Sequence, residues 1–199
     1  VRIAGSSDGV TQDLQVALGE IQQQQLTALI LDLRNDPGGL LSEAVGVASQ
    51  FLTEGRVLLE RDTEGQVVPV PVHTGAVASQ LPMVVLINGG TASAAEIVTG
   101  ALQDAGRATV VGERSFGTGT VLSEFSLSDG SALLLATQEW LTPNGNVIWH
   151  EGLSPDVEVS LPPETALLLP VAEQGMSPQE LGDSGDIQLL RALKVVSPK

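Results

Sequence analysis

Ser93 lies where the apolar run Met83 to Asn88 passes through a glycine-rich turn and enters the helical pattern of ASAAEIVTGALQD. A hydroxyl placed there can act as a nucleophile. The unpaired N–H groups of the first helical turn lie beside it and can hold the oxyanion formed when a hydroxyl attacks a carbonyl. That is acyl-transfer chemistry. The same residues also describe an ordinary capped helix, because serine is a favoured N-cap and Glu96 stands at capping-box spacing. This segment alone leaves both readings open.

The other residues able to do chemistry are few. The breaker cluster Asn35 to Gly39 (NDPGG) carries two glycines that can take positive φ and let a ligand approach the backbone. Asp32 and Arg34 just before it read as a structural charge pair. His73 and His150 are the only histidines, far apart and without HExxH-type pairing, and there is no cysteine. Thiolate nucleophiles, disulfides and Cys-ligated zinc are thereby excluded, and we expect neither metal nor cofactor. The only lysines are Lys194 and Lys199, both in the C-terminal tail.

Composition narrows the function classes further. The chain has 199 residues, 42% of them hydrophobic, enough for one domain with a sizeable core. A net charge of −15, with no Tyr and only two Trp, argues against nucleic acid and anionic membrane surfaces as partners. No apolar run approaches the roughly 20 residues of a membrane span, and no signal segment opens the chain. The start in VRIAG reads as a strand of a domain excised from a longer protein.

The elements that must position Ser93 and the NDPGG turn follow from periodicity. A helical stripe over Thr11 to Gln25 precedes a buried strand at Thr27 to Arg34, and a helix follows over Leu40 to Leu52. Strands are expected at Arg56 to Glu60, Val67 to Val72, Met83 to Asn88 and Ala108 to Val111, with a helix from Ser93 to Ala105. This alternation is α/β. Then come strands and turns: GTVLSEF, the turn Ser128 to Gly130, SALLLATQEWL, the turn TPNGN and a strand at VIWHE. The tail is broken by prolines, GDSGD reads as a flexible acidic linker, and Ile187, Leu189, Leu190 and Leu193 mark a docking helix capped by Asp186.

Four segments in order, ILDLRNDPGG, NGGTASAAEIVTGALQD, GERSFGTG and TPNG followed by GLSPDVEV, resemble the carboxyl-terminal processing or tail-specific proteases, serine peptidases of the S41 type. The resemblance covers nearly the whole chain. It implies a ClpP/crotonase-like spiral of βαβ units with a strand-rich C-terminal half and a terminal helix. It further implies a peptidase core over residues 1–161, a tail over 162–199, and a PDZ domain elsewhere in the full-length chain. By the same resemblance Ser93 is the nucleophile, Ala94 and Gly38 or Gly39 supply the oxyanion-hole N–H groups, and the substrate is an unstructured or C-terminal polypeptide segment. An extracytoplasmic location is implied too. A crotonase-like acyl enzyme fits less well, since the motifs match the protease branch and no acyl-CoA signature is present.

The sequence departs from that family at the general base. The family's lysine in Phe-Gly-Lys-Gly is Thr118 here, in Phe116-Gly117-Thr118-Gly119. A hydroxyl has no basicity near neutral pH and cannot replace an amine. The glutamine that follows the lysine in the family is Leu122, and Ala95 replaces a serine common before Glu96. His150 is the alternative base, since an imidazole can take a proton near neutral pH, and Glu96 could accept from the Ser93 hydroxyl, although capping suits it better. Two classes follow: a peptidase with an unusual base, or a pseudopeptidase that binds peptide segments or partners.

Overall fold

The structure is a computed structural model that describes residues 1–24, 26–162 and 164–196. In chain order the elements are α1 (Val10–Gln23), β1 (Leu29–Asp32), α2 (Leu41–Ser49), β2 (Arg56–Asp62), β3 (Val67–Pro71), β4 (Met83–Ile87), α3 (Ala94–Asp104) and β5 (Thr109–Gly112). There follow β6 (Thr120–Ser126), β7 (Ala132–Leu141), β8 (Val157–Glu158), α4 (Pro170–Glu173), α5 (Pro178–Gly182) and α6 (Ile187–Val196).

Two sheets organise them. The first is parallel, in the order β1-β4-β5-β8. Its central strand reads MVVLI without a polar interruption and is buried throughout, as a strand covered on both faces must be. Val85 and Ile87 face α2 and α3, packing with Ala44, Val47, Ile97 and Leu102. Val84 and Leu86 face the other way, against Leu189 and Ala192 of α6. The second sheet is antiparallel, in the order β3-β2-β7-β6. It is anchored where Val57, Leu58 and Trp140 enter the core. The α/β class, the strand-rich second half and the terminal helix expected from the sequence are all present.

Three local expectations are overturned. VRIAG forms no extended strand but the isolated bridge Arg2 to Asp32, with a second bridge from Ser6, just past it, to Gly39. VIWHE is a turn after a single bridge between Leu141 and Val147, since His150 turns to φ 60° and Ile148 alone is buried. GDSGD is no free linker, because Asp186 is fully buried and its Oδ1 accepts the Leu189 N–H at 3.0 Å. Asp186 does cap α6, as the sequence suggested.

Candidate active site

The parallel sheet decides what can meet. Because β1, β4 and β5 run the same way, the turns that leave their carboxyl ends gather at one edge. Those turns are residues 33–40, 88–93 and 113–119. Ser93, the two glycines and residue 118 therefore belong to one cluster, though they are up to 80 positions apart in sequence.

Ser93 opens α3 with φ 53° and ψ −118°. An ordinary N-cap holds extended backbone, whereas this conformation is rare for a residue with a Cβ and costs about 1–3 kcal/mol. Ser93 and Glu96 form a capping box, in which the Glu96 carboxylate accepts the Ser93 N–H at 2.8 Å, but the Glu96 N–H goes to the Ser93 carbonyl at 2.9 Å and the Ser93 hydroxyl makes no side-chain cap hydrogen bond. The hydroxyl is thus not spent on the helix. Gly38 explains how close the neighbouring turn comes: a Cβ there would stand 2.7 Å from both the Ala92 carbonyl oxygen and the Ala94 nitrogen, and 2.8 Å from the Ser93 Cβ. Its φ of 93° also favours glycine.

The N–H groups near Ser93 differ in occupancy. Gly38 donates to Asp36 Oδ1 at 2.8 Å. Among the described residues, neither the Ala94 N–H nor the Gly39 N–H has a protein acceptor. Ser6 holds this turn from the other side, donating to the Gly38 carbonyl and accepting from Leu40 N–H, each at 2.8 Å.

Glu96 ties the cluster together in a way that the sequence did not reveal. It is fully buried, and its Oε2 accepts the N–H of Ser93 and the N–H of Thr118, both at 2.8 Å. Residues 93 and 118 are consequently within two hydrogen-bond lengths of one another. Its Oε1 accepts the Ser115 hydroxyl at 2.6 Å and the Gly117 N–H at 2.7 Å. Capping spacing made Glu96 visible, but its partners 19 to 22 positions away follow no local pattern.

Asp36 is the other buried carboxylate here. Its Oδ2 has no hydrogen-bond partner, and burial pushes its pKa up to about 6, against the lowering effects of the Gly38 N–H and Arg2. The sign is definite: a carboxyl whose pKa is raised by folding contributes stability that is complete below about pH 4 and is lost as pH rises through about 6. Asp36→Asn keeps an oxygen acceptor for Gly38 and removes the charge. We expect it to exceed wild type in stability by about 3 kcal/mol at pH 8 and by almost nothing at pH 4. Urea unfolding at the two pH values measures this, and a gap independent of pH would contradict the assignment.

The remaining candidates lie elsewhere or are otherwise engaged. Arg34 is buried between Asp32 and Asp186, with N–O distances of 2.8 Å to each. The Asp32–Arg34 pair is thus structural, and it includes a third partner. His150 donates its backbone N–H to the Gly117 carbonyl at 3.0 Å, which places it beside the 115–119 segment, but its exposed ring packs on Trp149 and has no hydrogen bond to Ser93. His73 is exposed on the segment after β3, with its N–H on the Ser49 hydroxyl. Leu122 is exposed on β6 and orients nothing.

Lys194 is exposed in the last turn of α6. That helix starts at the Arg34 end of the sheet and finishes near Leu26 to Ile30, where β1 begins. Its amine is therefore at the opposite end of the sheet from Ser93. Lys199 lies outside the described residues. A cavity of about 450 Å³ is also at that far end, between α1 and residues 77–82. Among the described residues no group of acidic residues or histidines could hold a metal ion, and no helix is long and apolar enough to cross a membrane.

The comparisons with known proteins bear on the family and the fold. Peptidase family S41 matches residues 1–159. The carboxy-terminal-processing protease of Bartonella bacilliformis is 40% identical over 167 residues, covering 81% of this chain and 38% of that protein. The chloroplastic carboxyl-terminal-processing peptidase 3 of Arabidopsis thaliana is 40% identical over 159 residues, covering 79% and 31%. The chain thus spans about a third of the length of these relatives. Among solved structures, a photosystem II D1 C-terminal processing protease superposes with a TM-score of 0.77 at 37% identity, over 82% of this chain and 42% of that one. A Parabacteroides merdae protein titled a putative peptidase reaches 0.75 over the whole chain at 19% identity, a likeness of fold. The shared fold is ClpP/crotonase-like. With a family match over four-fifths of its length, this chain belongs to peptidase family S41.

Proposed function

We propose that Ser93 is the nucleophile of a serine peptidase site that acts on unstructured or C-terminal polypeptide segments. The observation that carries this reading is the Ser93 backbone, held in a rare conformation against Gly38 with its hydroxyl uncommitted and the Ala94 and Gly39 N–H groups free. In the reaction the Ser93 oxygen attacks the peptide carbonyl, the two N–H groups hold the resulting oxyanion, the serine proton passes by way of water to the departing amine as the C–N bond breaks, and water hydrolyses the acyl ester. A cleft of about 280 Å³ lined by Thr120, Gln138, Glu139 and Trp149 begins just beyond Gly119 and offers an extended chain a place to lie.

A second reading has its own observation. By the resemblance, Thr118 stands where the family has its lysine, and Lys194 is at the wrong end of the sheet. A site without its base still accelerates the reaction by roughly 10³- to 10⁴-fold over water. That is the behaviour of a pseudopeptidase that binds better than it cuts. The relatives' names, extended to this chain, support a carboxyl-terminal processing role; an extracytoplasmic location and a PDZ domain in the full-length protein rest on the family resemblance alone. Incubation with an unfolded polypeptide separates the readings. Slow cleavage abolished by Ser93→Ala supports the peptidase; binding without any Ser93-dependent product supports the pseudopeptidase.

A further inference from the structure

Asp36 is the buried acid that the proposed reaction does not use. It lies in the turn that presses on Ser93, its carbonyl accepts the Ala92 N–H at 2.9 Å, and its side chain holds the Gly38 N–H. We propose that Asp36 is a positioning residue whose charge sets the reactivity of Ser93. By accepting from Gly38 it leaves Gly39 as the second oxyanion donor, and neutralising it makes the pocket more receptive to negative charge. This inference rests on the reading of Ser93 as nucleophile.

An anion held by Ala94 and Gly39 forms beside a carboxylate whose second oxygen has no donor to satisfy it. Two negative charges in one dry turn disfavour each other, so the ionised acid raises the barrier and the protonated acid lowers it. Few other charges intervene. Arg2, from the N-terminal segment, faces Asp36, but it also donates to Asp32 and to the Arg34 carbonyl. Arg34 is turned to Asp32 and Asp186, and Glu96 on α3 is filled by four donors. The burial that pushes the Asp36 pKa up to about 6 places the change of charge near neutrality.

A rhodamine fluorophosphonate reads this out. The Ser93 oxygen bonds to phosphorus, fluoride leaves, and the serine proton passes to water or to an introduced amine. Labelling rates are measured from pH 5 to 8.5 for wild type and Asp36→Asn, each with and without Thr118→Lys. Asp36→Asn is expected to raise the rate at pH 8 about tenfold, the equivalent of one pKa unit of coupling, and to remove the inflection near pH 6. If Thr118→Lys labels at residue 93 but Asp36→Asn changes neither rate nor profile, or slows labelling equally at every pH, the Asp36 proposal is overturned and the nucleophile stands. If residue 93 labels in none of the four proteins, both fall. Should Asp36→Asn not fold, the Asp36 carboxyl ¹³C titration of wild type decides. Addition of a peptide boronic acid, which forms an anionic tetrahedral boronate on Ser93, should raise its midpoint by about one unit, and an unmoved midpoint overturns the proposal.

Discussion

Thr118→Lys is expected to raise cleavage of an unfolded polypeptide by about 10²- to 10⁴-fold, the usual contribution of a positioned general base. The backbone for that residue is already in place. Thr118 and Ser93 donate to the same Glu96 oxygen, so a four-carbon side chain from position 118 starts within two hydrogen-bond lengths of the nucleophile's own backbone. Thr118 is half-buried and its neighbours Gly117 and Gly119 are buried, which favours the neutral form of an amine placed there. The assay is the initial rate against pH, with Ser93→Ala in the Thr118→Lys background as the blank. A wild type that already cleaves as fast as the variant would contradict this account, and loss of its activity in His150→Ala would then identify the imidazole as the base.

Asp186→Ala is expected to lower stability by about 3 kcal/mol, because removing one partner of a buried ion pair strands the other. Arg34 has no solvent exposure, and its Nη1 lies 2.8 and 2.9 Å from the two Asp186 oxygens. Burial alone would lower the Arg34 pKa, yet Asp32 and Asp186 together hold it above its usual value. Asp186 also accepts the Leu168 and Leu189 N–H groups, so alanine leaves those donors short as well. Asp186→Asn keeps some of the hydrogen bonds and should cost less. Chemical denaturation of the three proteins measures the order, and equal midpoints would show that Asp32 alone suffices for Arg34.

The Asp186 result bears on how far the domain extends. The family match ends at residue 159, but Asp186 is locked to Arg34, just ahead of the Asn35–Gly39 turn. The tail is thus joined to the strand that carries the site. Nothing in the spacing of GDSGD announces this, because the partner is 152 positions away. Sequence periodicity is a local signal and loses such contacts.

The parts that were legible are those encoded within one element. The unbroken apolar run of β4, the glycines at 38 and 39 and the apolar stripe of α3 fixed the strand, the turn and the helix that bring Ser93 to the sheet edge. The resemblance to a family then singled out residue 118. Where the pattern was short, it misled: Val147, Ile148 and Trp149 satisfy a strand composition, but the positive φ of His150 converts the segment into a turn. The buried carboxylates were the larger omission. Glu96 was readable as a cap or as an acceptor for the Ser93 hydroxyl, and Asp36 only as a turn residue, because their roles depend on which backbone donors the fold brings to them.

The central claim is that the Ser93 oxygen faces two free main-chain donors, those of Ala94 and Gly39. A crystal structure of the fluorophosphonate adduct tests it most directly. The account predicts phosphorus bonded to Ser93, with one phosphoryl oxygen about 3 Å from both N–H groups and Gly38 still donating to Asp36. An oxygen turned to solvent, or held by the Gly38 N–H after release from Asp36, would contradict it.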